Sequence, residues 1–483
     1  MKPPVLGSRE SSRLSRNVDT AFEAMEGTWE LRTDREMRRQ PLYALAALLS
    51  LCTFGLLIGK SFFGLSLSSE PLILAGAVAW LLTFLEVRIG FALLIFTIAL
   101  SPEFTFYGVP NIRLEDFLFP AVFTAWLVRA LAERQRLVST DLKIPVLLLI
   151  LVSLVSSLQN LIYGDLPLLA SLFRLGKATE YYLMFFVALN LPRTSRDAKA
   201  FIHLLWIAAL AVAIYTIVQY NVFGQVVRAS GPPGETANIL GGYLLFHTTI
   251  LLGMGCSSAR MRRISLIAAA LMLVPFVYTF SRSTYVAFFV AMVVLSLVAR
   301  DRTATFIMFA GLGLLVLTQA RDRFATIFGI FSDNPPSSWE ARVNCWRLFL
   351  PQALDAPLLG YGLGKAPLWV DNEYVRQIYE LGLAGFVLFI VVVWRAARTA
   401  LNVGRNASSR IFRGFAFGYL AGLVGLLVHA LAATSFTTIR TTEPFFIATG
   451  LLYAISARTF RRPAEEAEAP SLLSAKKPEP SAL

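Results

Sequence analysis

The sequence predicts an all-α polytopic membrane protein, and three observations lead to this fold class. Of its 483 residues, 56% are hydrophobic and only 16% are charged, whereas a soluble chain carries about 25% charged residues. The apolar residues gather in runs of roughly 17–25, the length that a helix needs to cross a bilayer. The ten-residue alternation that builds a membrane β-barrel is missing from the sequence. A water-soluble globular protein is therefore excluded.

Fourteen apolar runs are the candidate membrane helices, the third of them short, and we expect about 14 transmembrane helices (12–14). The runs lie near 41–59, 71–87, 89–101, 116–132, 144–162, 174–190, 202–220, 237–255, 264–280, 284–299, 303–319, 380–395, 414–434 and 444–457. The predicted order is a cytoplasmic N-terminal tail at 1–40, transmembrane helices 1–11 over 41–319, a large outer loop containing helices at 320–379, transmembrane helices 12–14 over 380–457 and a disordered cytoplasmic C-terminal tail at 458–483.

The distribution of basic residues supports this topology. Alternating the runs from a cytoplasmic N-terminus places every short basic cluster on the cytoplasmic side, as the positive-inside rule requires. The net charge of +13 then follows from topology, and we reject a nucleic-acid partner. The polar segment before the first run is too long for the charged region of a cleavable signal peptide. The three cysteines show no disulfide or zinc spacing.

The outer loop breaks the pattern of short connections, and loops of this length usually carry function. Residues 338–354 (SWEARVNCWRLFLPQAL) predict an amphipathic helix with Ser338 as its N-cap. A turn-rich stretch follows at 355–364, and residues 371–381 predict a helix that runs directly into the next membrane helix. The glycines before Lys365 lack the spacing and strand context of a nucleotide loop, so we expect a turn packed on the membrane surface.

Five arginines on the outer side are candidate ligands for phosphate, because a guanidinium binds two phosphate oxygens at once. They are Arg228, Arg282, Arg342, Arg376 and Arg440. Arg282 stands between two apolar runs, where a charge is costly unless it faces a cavity or a partner. The alternative is an arginine that snorkels or forms a salt bridge at a helix end.

The helix predicted at 371–381 carries several polar candidates. Asn372, Arg376 and Glu380 share one face, which holds either a solvated ion pair between Arg376 and Glu380 or an arginine and a carboxamide that face a polar substrate. Asp371 and Glu373 open the helix. They either complement the helix dipole or supply a general base that takes a proton from a sugar hydroxyl.

Charged residues inside a membrane run are a further candidate. Arg174, Lys177 and Glu180 follow one another at intervals of three, and they form either a partly buried ion network or the wall of a polar cavity, which we favour. The three histidines have no metal spacing with one another. His429, near an outer helix end, is either a packing residue or a functional one.

Four stretches together resemble the O-antigen ligase and Wzy-type polysaccharide polymerase family of bacterial inner membranes. They are Arg228-Ala-Ser-Gly with Asn238-Ile-Leu-Gly-Gly-Tyr243; Phe280-Ser-Arg-Ser-Thr-Tyr285; Arg342-Val-Asn-Cys-Trp346 leading to Asp355-Ala-Pro-Leu-Leu-Gly-Tyr-Gly362; and Asp371-Asn-Glu-Tyr-Val375 with Tyr379-Glu-Leu-Gly-Leu-Ala-Gly385. Their order, their intervals and their side of the membrane are similar to the family's over about residues 228–385.

The resemblance implies an integral-membrane glycosyltransferase of the GT-C type that works at the periplasmic face, so that the outer loop is periplasmic. It implies an oligosaccharide on undecaprenyl diphosphate as donor, without nucleotide sugar, metal or other cofactor. Arg228, Arg282 and Arg342 match positions thought to meet the donor diphosphate or sugar. Asp371-Asn372 stands where ligases usually have His-Asn, which leaves the base open between Asp371, Glu373 and Glu380.

This departure favours a polysaccharide polymerase, which transfers the growing glycan onto the next lipid-linked repeat unit in exopolysaccharide biosynthesis. An O-antigen ligase that moves the glycan to lipid A core or another acceptor is the first alternative. A flippase for lipid-linked oligosaccharides is the second, although the long loop and the missing internal repeat argue against it. The expected partners are the lipid-linked donor and acceptor, the bilayer, a chain-length regulator and a flippase. The expected location is the inner membrane, with both termini cytoplasmic.

Overall fold

The computed structural model describes residues 69–101, 104–106, 109–163, 168–223, 228–232, 236–301, 307, 337–367 and 369–459. The predicted run near 41–59, nearly all of the run at 303–319, the N-terminal tail, the first part of the outer loop and most of the C-terminal tail lie outside the described residues. The chain divides into two compact units, Met1–Ile89 and Gly90–Leu483, and every site residue discussed below lies in the second.

Helices dominate the described part of the chain. In chain order the elements are α1 (Ser69–Leu85), α2 (Val87–Leu100), β1 (Phe104–Phe106), β2 (Val109–Ile112), α3 (Glu115–Ala132), α4 (Lys143–Tyr163), α5 (Leu168–Asn190), α6 (Ser195–Phe223), α7 (Ala237–Ser257), α8 (Ala259–Tyr278), α9 (Arg282–Ala299), α10 (Ser337–Ala353), α11 (Glu373–Asn406), α12 (Arg410–His429) and α13 (Ile439–Thr459). All but one of these helices coincide with predicted apolar runs. The exception, α10, is the amphipathic helix predicted over 338–354.

Seven helices of the described part are long and apolar enough to cross a membrane, namely α4, α6, α7, α8, α9, α11 and α12. The protein is therefore a multi-pass membrane protein, as the composition predicts. The total of fourteen membrane helices stays a prediction.

One β-hairpin departs from the all-α prediction. Strands β1 and β2 pair antiparallel, with Phe104 opposite Ile112 and Phe106 opposite Val109. Aromatic and β-branched residues favour extended structure over helix, and they are concentrated in this connection between α2 and α3. With strands of three and four residues, the hairpin is much shorter than an apolar run that crosses a bilayer.

Helices α7 and α12 pack with their backbones in close contact. An added Cβ at Gly253 would fall within 3.0 Å of the α12 backbone at Gly414 and Gly418, and one at Gly418 would meet the α7 backbone at Thr249 equally closely. Small residues let membrane helices approach this closely, since van der Waals packing drives their association. The pair holds the ends of α7 and α12 in register, and both ends contribute to the site.

A kink at Gly382 joins the outer turns of α11 to its long apolar part. Gly382 has φ 63° and ψ −167° inside the helix. The turn-rich stretch after α10 docks at this point, because Leu383 N donates to Pro357 O (2.8 Å) and Tyr361 N donates to Tyr379 O (2.8 Å). The predicted turn is therefore packed against α11, on both sides of its kink.

Helix α10 lies against the same part of α11. Its buried face repeats every four residues through Cys345, Phe349 and Ala353, and these side chains pack on Val375 and Tyr379 of α11. Burial raises the pKa of the Cys345 thiol. The apolar face that the sequence predicts therefore fixes α10, and with it Arg342, over the start of α11.

Candidate functional site

Arg228 is anchored at one end of the bundle between α7 and the turn that joins α8 to α9. Its Nε donates to Thr279 O (2.8 Å) and its Nη2 to Asn238 Oδ1 (3.3 Å). Asn238 lies in the first turn of α7. These contacts draw the first two of the four family-like stretches together.

The turn between α8 and α9 presents Ser281, Arg282 and Ser283. Ser281 Oγ donates to Asn238 Oδ1 (2.9 Å) and lies 3.2 Å from Ser283 Oγ. Phe280 has φ 47°, a left-handed conformation that a bulky residue adopts only where its surroundings hold it. Arg282 is the partly buried first residue of α9, and it directly follows Ser281, which contacts the same Asn238 as Arg228 does.

His429 continues this network on α12. Thr284 Oγ1 donates to Ser281 Oγ (2.7 Å) and lies 3.2 Å from His429 Nε2, and His429 Nδ1 lies 2.8 Å from Ser435 Oγ. The α7 backbone closes one side of the ring, since an added Cβ at Gly242 would lie 3.1 Å from it. His429 is therefore a buried residue with both ring nitrogens engaged, at the inner end of a hydrogen-bond network that starts at Arg228.

Arg342, from the outer loop, contacts the turn that follows His429 at the end of α12, and Asp371 precedes the start of α11 nearby. Arg342 Nη2 donates to Ala432 O (3.3 Å), and Ala432 N donates to His429 O (3.0 Å). Asp371 is half-buried. Burial raises the pKa of its carboxyl, while the positive charges of Arg342 and Arg376 lower it. Asp371 is thus a partly accessible carboxyl between two arginines.

Asn372 and Glu373 bind the chain after α12. Asn372 caps α11, with its Oδ1 accepting from Val375 N (3.0 Å), and its Nδ2 donates to Leu431 O (3.0 Å). Glu373 is fully buried and accepts from Phe436 N (3.0 Å) and Gln377 Nε2 (2.9 Å). Both side chains hold the segment that carries Ser435, and Glu373 does not open to a substrate.

Arg376 and Glu380 form a buried ion pair. Arg376 Nη1 lies 3.1 Å from Glu380 Oε1, and both side chains are about 95% buried. Arg376 also donates to Pro367 O (2.8 Å), and Ala366 N donates to Glu380 Oε1 (3.2 Å). The ion pair, one of the two interpretations of this helix face, is therefore present, but the loop before α11 encloses it and it is not solvated.

Arg440 lies within the bundle, only 2% exposed. Its Nη2 donates to Ser101 O (2.6 Å), and Ser101 Oγ accepts from Leu114 N (3.0 Å). Arg440 therefore contacts the residue that follows α2, whereas the contacts of Arg228 and Arg342 lead to His429.

Lys177 and Glu180 do take part in a buried ion network. Lys177 pairs with Asp116 of α3 and lies 2.9 Å from Glu180 Oε2 and 3.8 Å from Glu443 Oε1. Arg174 lies apart from them, because its side chain packs on Gly364 of the outer loop. The ion-network interpretation therefore holds for two of the three residues.

The described residues of the site form no grouping suited to a metal ion. Within the described ranges, no set of three or more His, Cys, Asp or Glu side chains could hold one. The groups that converge are guanidinium, hydroxyl, imidazole and carboxyl, which suit an anionic, hydroxyl-rich ligand.

These features define a multi-pass membrane protein with an arginine- and hydroxyl-rich site at one end of its helices. Residues 267–390 match the Wzy_C family model, described as O-antigen ligase. The match confirms the resemblance to the O-antigen ligase and Wzy-type family over this segment, and members of that family are glycosyltransferase-like enzymes. It includes Arg282, Arg342 and Asp371, while Arg228 and His429 lie outside it. No curated protein matches the chain.

Proposed function

We propose that the protein is a polysaccharide polymerase. It transfers a growing glycan from undecaprenyl diphosphate onto a lipid-linked repeat unit at the periplasmic face of the inner membrane. The observation that carries this proposal is that Arg228, Arg342 and the turn that carries Arg282 make contacts leading to His429, while Asp371 lies under the charges of Arg342 and Arg376. Arg282, Arg342 and Asp371 lie in the segment that matches the family.

The arginines suit the leaving group of this reaction. The bond between the anomeric carbon and the diphosphate oxygen breaks, and negative charge grows on the diphosphate. Guanidinium groups fixed before the reaction stabilise such charge at little reorganisation cost. The contacts of Arg228 to Thr279 O and Asn238 hold one guanidinium in place, and Arg282 and Arg342 supply two further positive charges.

Asp371 is the carboxyl that best suits the role of base. It accepts the proton of the acceptor hydroxyl as the new glycosidic bond forms, and the proton then passes to the diphosphate or to water. The alternatives are less suited, because Glu373 is enclosed by Phe436 and Gln377 and Glu380 is paired with Arg376. A general base must reach the hydroxyl directly or through one water, and only Asp371 of these three is half-exposed.

A ligase is the second candidate, since the matching family model carries that description. The two activities share donor and leaving group and differ only in the acceptor. The Asp371–Asn372 pair, in place of the His-Asn that ligases usually have, is our reason for favouring the polymerase.

The test is complementation of a deletion strain by Arg282→Ala, Arg342→Ala and Asp371→Asn. Arg193→Ala is the matched control, because Arg193 is an exposed arginine that pairs with Glu133 (2.5 Å) at the other end of the helices. Protein levels in the membrane are checked by immunoblot, and surface and lipid-linked glycans are separated on gels.

We expect stable site variants to accumulate single lipid-linked repeat units while the control makes polymer. Long chains that remain on undecaprenyl diphosphate would instead establish a ligase. Normal polysaccharide from all three site variants would refute the proposed site.

A further inference from the structure

A second charged group lies among α3, α5 and α13, and the polymerase mechanism does not use it. We call it the Lys177 cluster; its members are Arg113, Glu115, Asp116, Lys177, Glu180 and Glu443. Lys177 is the centre, paired with Asp116 and approached by Glu180 Oε2 at 2.9 Å and Glu443 Oε1 at 3.8 Å. Arg113 Nη1 lies 3.9 Å from Glu115 Oε1.

The cluster is enclosed by the helices. Glu115 and Glu443 have no exposed surface, Arg113 is 3% exposed, and Lys177 and Glu180 are each 8% exposed. An ion in such a place loses its hydration, a cost of several kcal/mol that only close partners offset.

The partners are too few for four carboxylates. Among the described residues the cluster contains two basic side chains, and buried Arg440, which stands three residues before Glu443 on α13, adds a third positive charge. The carboxyl oxygens of Glu115 and Glu443 are all buried, and none of the four accepts a hydrogen bond from the residues that the structure describes. One negative charge therefore remains uncompensated if every carboxyl is ionised.

A bound metal ion is not suited to compensate the excess negative charge of the cluster. The described part of the chain offers no grouping of three or more acidic, His or Cys side chains arranged to hold one. A proton needs no coordination shell. When two carboxylates lie close together, their mutual repulsion favours the binding of a proton by one of them.

We propose that the Lys177 cluster is a proton-binding site in which Glu180 and Glu443 share one proton beside Lys177. Two ionised carboxylates would otherwise compete for one ammonium group that already pairs with Asp116. Because Glu180 belongs to α5 and Glu443 to α13, the shared proton also holds these two helices together.

The position of α13 links proton occupancy to the polymerase site. The chain just before α13 carries Ser435, which contacts His429, and Phe436, whose N–H binds Glu373. A shift of α13 on loss of the proton would therefore reach the turn that closes the site.

The pH dependence follows from the groups that face the shared proton. These are Glu115, Asp116 and Arg113 from the start of α3, Lys177 and Tyr181 from α5, and Arg440 from α13. In the unfolded chain a glutamate is ionised above about pH 4.3. The folded protein then holds one proton more than the unfolded one, so stability falls as the pH rises.

The test is infrared spectroscopy of the full-length protein in detergent at neutral pH. The carbonyl stretch of a protonated carboxylic acid is separate from that of a carboxylate, and it moves in heavy water. We expect this band in the wild-type protein and its loss in Glu443→Gln and in Glu180→Gln. Glu133→Gln is the matched control, because Glu133 is an exposed glutamate that also pairs with a cation, and it should leave the band unchanged.

Thermal denaturation across pH supplies the second measurement. We expect the wild-type midpoint to fall as the pH rises and Glu443→Gln to remove most of that slope. Absence of the acid band in the wild-type protein would overturn the proposal whether or not the variants fold. A band unchanged in both Glu180→Gln and Glu443→Gln would also overturn it, since another carboxyl would then hold the proton. Neither measurement needs substrate, so the result is independent of the polymerase proposal.

Discussion

The substitution Arg376→Met tests whether Arg376 stabilises the fold or binds the substrate. In Arg376→Met, Glu380 keeps its burial but loses its ion partner, 3.1 Å away, and the carbonyl of Pro367 loses its donor. Removing one partner of a buried ion pair costs about 3–5 kcal/mol, because the other charge is left uncompensated. We therefore expect Arg376→Met to lower the thermal midpoint of the detergent-solubilised protein strongly and to reduce its level in membranes.

The double variant Arg376→Met, Glu380→Leu provides the control. It removes both charges together, and replacing a buried ion pair with apolar side chains of similar size is often neutral. We expect it to recover more than half of the lost stability, although Ala366 N then loses its acceptor. The measurements are the thermal midpoint and the amount of protein extracted from membranes. A single variant with wild-type stability and no polymer synthesis would refute the structural role and place Arg376 on the substrate.

Three further predictions concern the site and the packing beneath it. Arg342→Gln removes a positive charge that lowers the pKa of Asp371; because the base must be ionised, the acidic limb of a pH profile of glycan transfer should move to higher pH, and an unchanged limb would contradict Asp371 as the base. Gly242→Val pushes a methyl group onto the His429 ring; we expect normal membrane levels with at least tenfold slower polymer formation, and wild-type rates would show that the ring position is unimportant. Gly253→Leu forces α7 away from the α12 backbone; overpacking costs about 1–3 kcal/mol or more, so a lower thermal midpoint is expected and an unchanged one would contradict the close packing.

The helices were predictable because a helix that crosses a bilayer needs a continuous run of apolar residues, and such a run is visible in the sequence. Local signals also identified α10 and the start of α11, where Asn372 caps the helix. The spacing of Arg376 and Glu380 left an ion pair and a substrate-facing surface as equal interpretations, and the structure contains the ion pair. The spacing could not show which surface the pair faces, because that depends on the carbonyls of the loop that folds over it.

The hydrogen-bond network around His429 was harder to predict. Thr284 and His429 are 145 positions apart, and Ser281 and Asn238 are 43 positions apart. No local pattern brings such residues together. Glu443 was missed for the same reason, since its meaning depends on Lys177 of a distant helix. One local signal could have pointed to this region: the stretch 434–442 is rich in hydroxyl side chains and contains Arg440.

The docked kink at Gly382 has a geometric consequence for the proposed transfer between lipid-linked substrates. The outer turns of α11 run from Glu373 to the kink, a rise of about 14 Å at 1.5 Å per residue. Beyond the kink, exposed Leu383, Val387 and Ile390 line the apolar part of the helix. Because the loop is bonded to both sides of the kink, this spacer cannot lengthen or bend independently. Asp371 is therefore held at a constant height above the lipid-facing surface, and each repeat unit would meet the same carboxyl at the same depth however long the polymer becomes.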